Sequence, residues 1–180
     1  MNNSTENVTL IAAFVLDIIA QYDGKPEFQN HLKKMTADYD LSDPMKHVPI
    51  QLYNDMCGWI EQQIGETNAK RLGRKIGNTA YQSMLQMSLV QDGATPLELM
   101  EGLKKVAELV IADPEKRGWE ILNSYDKEII MRRTQTFNSI LQFGLLDEII
   151  RKTSVYSPKV EFVKSVAQGD EYDEYRITWI

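Results

Sequence analysis

Two arginines in succession, followed by hydroxyl and amide side chains, are the segment of this chain best suited to grip an anion. The run Arg132-Arg133-Thr134-Gln135-Thr136-Phe137-Asn138 would end a strand and enter a helix. Guanidinium groups and helix N-terminal amides are the usual partners of carboxylate and phosphate oxygens. In an alternating strand only one of the two arginines faces inward. The competing reading is a solvated strand end with Thr136 as the helix cap. A second feature is a seam of small residues, in which Gly73, Gly77 and Ala80 share one helix side with Leu72, Ile76, Tyr81 and Met84. Glycine inside a helix costs roughly 1 kcal/mol relative to alanine, so the seam implies close approach of another helix or of a ligand. Met84, Met87, Met100 and Met131 fall in the region flanking the seam and the following strands. Methionine fills irregular core gaps or adapts to a bound molecule. Gly77, Tyr81, Met84, Met131, Arg132 and Phe137 are therefore the candidate ligand-binding residues.

Other reactive side chains are few. His31 lies in a polar segment and His47 in a proline-bounded connector, neither with metal-ligating neighbours at suitable spacing. Haem ligation through either would need it on a helix facing a deep apolar pocket. The single cysteine, Cys57, rules out an internal disulfide and a cysteine-built metal site. On the apolar face of its helix it reads as an inert buried thiol. Asp17 interrupts an apolar helix, either as a buried acid or on that helix's exposed edge. The GRKIG run at 73–77 lacks the spacing of a phosphate-binding loop, and neither a Gly-x-Ser-x-Gly elbow nor catalytic-triad spacing occurs. No catalytic residue is expected, and no cofactor.

The elements that must position these residues follow from pattern and punctuation. The chain has 180 residues with 43% apolar and 26% charged, ordinary proportions for a globular domain. Its net charge of −6 argues against a nucleic-acid partner. Residues 8–20 are strongly apolar, but they are too few to span a bilayer and Asp17 interrupts them. They read as a core helix over about 7–22 in a cytoplasmic protein, with no membrane span. A short polar helix over 27–35 follows, then a connector closed by Pro44 and Pro49. A helix opened by Pro49 stops at Gly65, another covers about 67–90, and Thr95-Pro96-Leu97-Glu98 is a capping box opening a helix that ends at Asp113-Pro114. The period then changes from 3.6 to 2. Trp119 and Ile121, then Ile129 and Met131, face inward across a hairpin, and a helix over about 137–152 is apolar on two sides. Residues 160–180 make a second hairpin whose last strand turns Tyr175, Ile177 and Trp179 to the core. The fold class is α+β, an N-terminal helical layer over 1–113 packed on a C-terminal ββαββ antiparallel unit over 117–180. A domain with two such apolar helices has surface left for a partner, so a homodimer through the helical layer is expected.

The tail beginning at Phe143 carries a resemblance. Gly144-Leu145-Leu146 in a helix, then Ser165-Val166-Ala167-Gln168-Gly169-Asp170-Glu171-Tyr172-Asp173 in a hairpin, resemble the 4-vinyl reductase domain. That family belongs with the haem-NO-binding and Golgi-transport ligand-binding folds, and the N-terminal half is similar to its bacterial stand-alone members. The resemblance implies one domain over 1–180, its specific motif covering about forty residues. The family's pattern is Cys-x-Ala-x-Gly-Asp-x-x-Cys, and the resemblance implies metal ligation by its two cysteines. Ser165 and Asp173 replace both here, and serine with one carboxylate does not close a zinc site. No metal is therefore expected, and the Gly169-Asp170 turn is read as structural. The resemblance implies a non-catalytic sensor module holding a small apolar or amphipathic molecule between helices and sheet, with haem or another tetrapyrrole among the candidates. Its alternatives are a dimeric protein-interaction adaptor and an enzyme of porphyrin metabolism.

Overall fold

A computed structural model describes residues 4–180. The apolar run near the N-terminus divides, because two other segments offer it strand edges. Thr9–Ile11 is a strand (β1), flanked by His47–Pro49 (β2) and Ile111–Ala112 (β3) in a three-stranded antiparallel sheet. The helix expected over 7–22 is thus shortened to Ala13–Ala20 (α1). A run so nearly continuously apolar has no clear period of its own, so partners decided its state. The first amides of α1 have no side-chain cap. Connector carbonyls satisfy them instead, with Ala12 N donating to Lys46 O at 2.7 Å and Ala13 N to Pro44 O at 2.8 Å.

Pro26–Met35 (α2) follows, then Ile50–Gln86 (α3), broken at Gly65 where φ is 73°. Gly65 is the stop read from the sequence, and the chain resumes its helix beyond it. The second half ends at Gln86, not near 90, since Ser88 turns left-handed at φ 56°. Pro96–Val110 (α4) is opened by the expected capping box, Thr95 N donating to Glu98 Oε2 at 2.7 Å.

The C-terminal unit is ββαββ as expected. Trp119–Tyr125 (β4) and Glu128–Arg133 (β5) form a hairpin, Ser139–Ile150 is α5, and Lys159–Lys164 (β6) pairs with Asp173–Thr178 (β7). The antiparallel order is β4-β5-β7-β6. Asn138, not Thr136, caps α5, its Oδ1 accepting from Leu141 N at 2.9 Å. Both apolar faces of α5 are covered inside the chain, one by the sheet and one by α3.

The small-residue seam belongs to that second interface. A Cβ on Gly144 would lie 2.9 Å from Gly73 Cα and 3.0 Å from Arg74 N, and still nearer the Lys70 carbonyl. One on Gly77 would lie 2.7 Å from Leu145 O. Gly73, Gly77 and Gly144 therefore let α3 and α5 cross backbone to backbone. Arg74, ion-paired with Asp147, stands beside the crossing.

Candidate functional site

A cleft lined largely by apolar side chains lies between α1, the second half of α3 and α4. It leaves a cavity of about 90 Å³ near the surface, rimmed by Asp17, Thr79, Ser83 and Met87. An inner chamber of about 40 Å³ reaches the sheet, walled by Tyr53, Leu103, Trp119, Phe137 and Leu145. Phe14, Ile76, Ala80, Val106 and Val110 line both, so the two adjoin. Besides the aromatic polar groups of Tyr53 and Trp119, Arg133 from the end of β5 and Gln142 from α5 border the inner chamber.

Strand parity places Arg133 inside. It shares the inner face of β5 with Ile129 and Met131, each 0% exposed, and is itself 4% exposed. Its guanidinium carbon sits 4.8 Å from the Trp119 ring centre and 4.4 Å from that of Phe137. A guanidinium carries five N–H donors. Here the hydrogen bond made runs from Nη2 to Gln135 Oε1 at 2.7 Å, and Nε is buried without a partner. Gln135 in turn donates to Asp113 Oδ2 at 3.0 Å, so the nearest carboxylate in this chain of contacts is reached only through a neutral amide. Burial pulls the Arg133 guanidinium down to about 9. It is still a cation at neutral pH, uncommonly short of partners. Gln142 is 6% exposed, and no hydrogen bond joins its side-chain amide to another described residue. On the sheet side, Arg133 also borders a polar notch with Thr134, Ser139 and Asp173.

The residues singled out in the sequence are spread over several places. Phe137 lines the inner chamber. Gly77 lies in the α3–α5 crossing. The Tyr81 hydroxyl donates to Asp92 Oδ1 at 3.4 Å, and Met84 is packed at Gly102 and Val90. Met131 is buried in the sheet core between Ile121 and Tyr175. Arg132 is on the outer face, where Nη2 donates to Glu174 Oε1 at 2.8 Å and the Glu120 carboxylate lies 3.5 Å away. The sequence did not single out Gln142, nor carry Arg133 forward from its pair.

Asp173 has both carboxylate oxygens engaged: Ser139 Oγ donates to one at 2.6 Å and Val166 N to the other at 3.0 Å. Ser165 is buried, and its N–H donates to Asp170 Oδ2 at 2.8 Å, with Gly169 left-handed at φ 95°. His31 stacks on Trp59 with centroids 4.0 Å apart, and exposed His47 is hydrogen-bonded to the Thr9 hydroxyl at 2.8 Å. Asp17 accepts from Gln21 at 3.2 Å. Burial pushes the Cys57 thiol up to about 12, so it is not a thiolate at neutral pH.

On the outer face, burial alone would raise the Glu174 carboxyl, but bonds from Arg132 and Lys164 outweigh it and hold it below its ordinary value. Its contribution is therefore present above the unfolded carboxyl's pKa and is lost as pH falls through the folded one. Glu174→Gln is expected to cost about 1–2 kcal/mol at neutral pH. That gap should close when urea melts are repeated in acid below about pH 4; a gap independent of pH would mean that the ionised carboxylate contributes nothing.

Taken together, the helical layer, the four-stranded sheet and the order of elements define an H-NOX-like α+β fold. The chain superposes on a solved structure described as "Probing the function of heme distortion in the H-NOX family" with a TM-score of 0.62. The match covers 94% of this chain and 95% of that one at 12% sequence identity, a likeness of fold. No family model matches the sequence, and no curated protein does.

Proposed function

We propose that this chain is a small-molecule-binding module of regulatory type, a 4-vinyl-reductase-like domain spanning residues 1–180 that binds without catalysing. The observation that carries the reading is the cleft, whose apolar walls lead to a guanidinium and an amide with donors to spare. The solved neighbour is described in terms of haem, which makes a ligand inside this architecture a natural reading. Haem itself does not fit the residues present. Axial ligation needs an imidazole, thiolate, thioether or phenolate facing the iron. Both histidines lie outside the cleft, Cys57 is held protonated, burial keeps the Tyr53 hydroxyl neutral, and the one thioether on the cleft, Met87, is 42% exposed at its outer rim and does not reach the inner chamber. The space is small as well: a cavity of about 150 Å³ is filled by benzene, and the inner chamber is about 40 Å³. The ligand proposed is accordingly compact, apolar or amphipathic.

The rest of the reading is a cytoplasmic, bacterial protein without metal or nucleic-acid partner. Among the described residues no helix is long and apolar enough to cross a membrane, and no three His, Cys, Asp or Glu side chains are grouped so that they could hold a metal ion. A homodimer belongs to the proposal, and so does the adaptor alternative. The α5 helix provides no face for pairing, since α3 and the sheet cover it. What favours a partner is one end of the sheet, where Tyr156 and Ile180 are exposed and joined by a 2.9 Å hydrogen bond from Ile180 N to Tyr156 O.

Native mass spectrometry of protein purified from cells tests this. The expected spectrum is a dimer retaining a compact organic molecule and no zinc. A clean apo dimer supports the adaptor instead. A monomer near 20.7 kDa at every concentration overturns the dimer, and a chelator-resistant zinc overturns the metal-free reading.

A further inference from the structure

Resting on the cleft as the ligand site, we propose that its ligand carries a carboxylate, taken at the floor by Arg133 and Gln142, with its apolar part toward the mouth between α1 and α4. Three observations converge on that group. First, the floor holds a cation to which no described residue supplies a direct counter-ion. Asp113 is reached only through Gln135, and Asp173, across the β5–β7 pair from Arg133, has both oxygens engaged. A buried charge left in that state costs stability, and a ligand of opposite charge removes the cost.

Second, the shape of the open donor set matches a planar acceptor. The Trp119 and Phe137 ring centres lie 4.8 and 4.4 Å from the guanidinium carbon, and a guanidinium beside aromatic rings keeps its planar fork of N–H donors for an acceptor. A carboxylate presents two oxygens in one plane and accepts such donors in pairs. Gln142 adds an uncharged amide on the same chamber. One cation with one amide balances a monoanion; a phosphate dianion would be left with charge and oxygens unmet.

Third, the remaining walls are largely apolar and the volume is limited, about 90 Å³ in the outer cavity, which sets the ligand's body as a short, slender acyl chain. No acidic side chain lines the inner chamber, so nothing there repels an anion. Asp17 sits at the outer rim, bonded to Gln21. The polar notch on the sheet side is the less suitable place, because the Asp173 carboxylate borders it.

The test is calorimetric, on the full chain at neutral pH, with hexanoate, hexan-1-ol and hexyl phosphate as probes of equal chain length. Hexanoate should bind at least about tenfold more tightly than the alcohol, the least expected of a charge-assisted hydrogen bond in a dry site. Arg133→Met should abolish that preference while leaving the alcohol's affinity within about threefold. Gln142→Leu should reduce the preference partway, and it serves if Arg133→Met does not fold. Equal affinity for acid and alcohol would overturn the carboxylate while leaving the cleft as a ligand site. Tighter binding of the phosphate would reassign the anion and overturn the carboxylate as well. If none of the three binds, the cleft reading itself fails along with the inference built on it.

Discussion

Gly144→Ala is expected to destabilise the protein by about 2–4 kcal/mol, lowering the melting temperature by roughly 5–15 °C for a chain of this size. The sign is the informative part. In an ordinary helix interior, alanine improves on glycine by roughly 1 kcal/mol, because glycine has more backbone freedom to lose. At position 144 the added methyl has no room: it would meet the Lys70 carbonyl and would lie 2.9 Å from Gly73 Cα. These neighbours are backbone atoms of a helix, which cannot swing aside as a flexible side chain would, so relief requires the whole α3–α5 crossing to open. Opening it also pulls α5 from the sheet, because α5 is packed on both sides. Gly58, in the partner helix α3, supplies the control. Nothing lies within 4 Å of a Cβ built there, so Gly58→Ala should be neutral or stabilising by about 0.5–1 kcal/mol. Thermal and urea melts of the two variants decide; equal, small effects would mean that the helices can separate without cost.

That crossing marks how far the sequence could be read. Glycines spaced four apart in an otherwise helical pattern announced a close approach, and Gly144 stood in plain view within the Gly-Leu-Leu run. What a linear pattern does not carry is which two surfaces meet, since that depends on tertiary pairing. The ββαββ order was legible from the change of period and from the two apolar faces of α5. The three-stranded sheet was not, because β1, β2 and β3 are each two or three residues long. Segments that short have no measurable period, and they become strands only because distant edges present complementary backbone groups.

The site divides in the same way. Placing Ile129 and Met131 inward already fixes the parity of β5, and the same parity puts Arg133 inside and Arg132 outside with Glu120 and Glu174. The signal for Arg133 was therefore present in the alternation. Gln142 gave none: an amide in the first turns of an apolar helix reads as surface until the packing on both sides is known. Nor could the sequence show that the inward arginine lacks a carboxylate, because Asp113 is 20 residues upstream in the chain and engages Gln135 instead.

Asp113→Ala should cost about 3–5 kcal/mol, the usual penalty for removing one member of a buried ion pair. Its side chain is 2% exposed and accepts from Arg117 Nε at 2.9 Å, Glu115 N at 2.9 Å and Gln135 Nε2 at 3.0 Å. Burial alone would raise the Asp113 carboxyl, but these bonds outweigh it and hold it below the ordinary range. Its stabilisation is accordingly present at neutral pH and is lost as acid protonates the folded group. Truncation removes the acceptor that Arg117 and Gln135 share in a nearly dry place, leaving Arg117 with the Ser4 carbonyl and the more distant Glu115 carboxylate. Arg133→Met, two contacts along the same chain, should behave differently in the unliganded protein and change stability by no more than about 1 kcal/mol. Methionine fills similar volume without a charge to desolvate, and that gain offsets the lost Gln135 bond and ring contacts. Urea unfolding of both variants tests the contrast, with unchanged slope as the check that each unfolds from the same native state. A loss for Arg133→Met as large as that for Asp113→Ala would make the arginine a structural keystone held by its rings, and would remove the reason for seeking its counter-ion in a ligand.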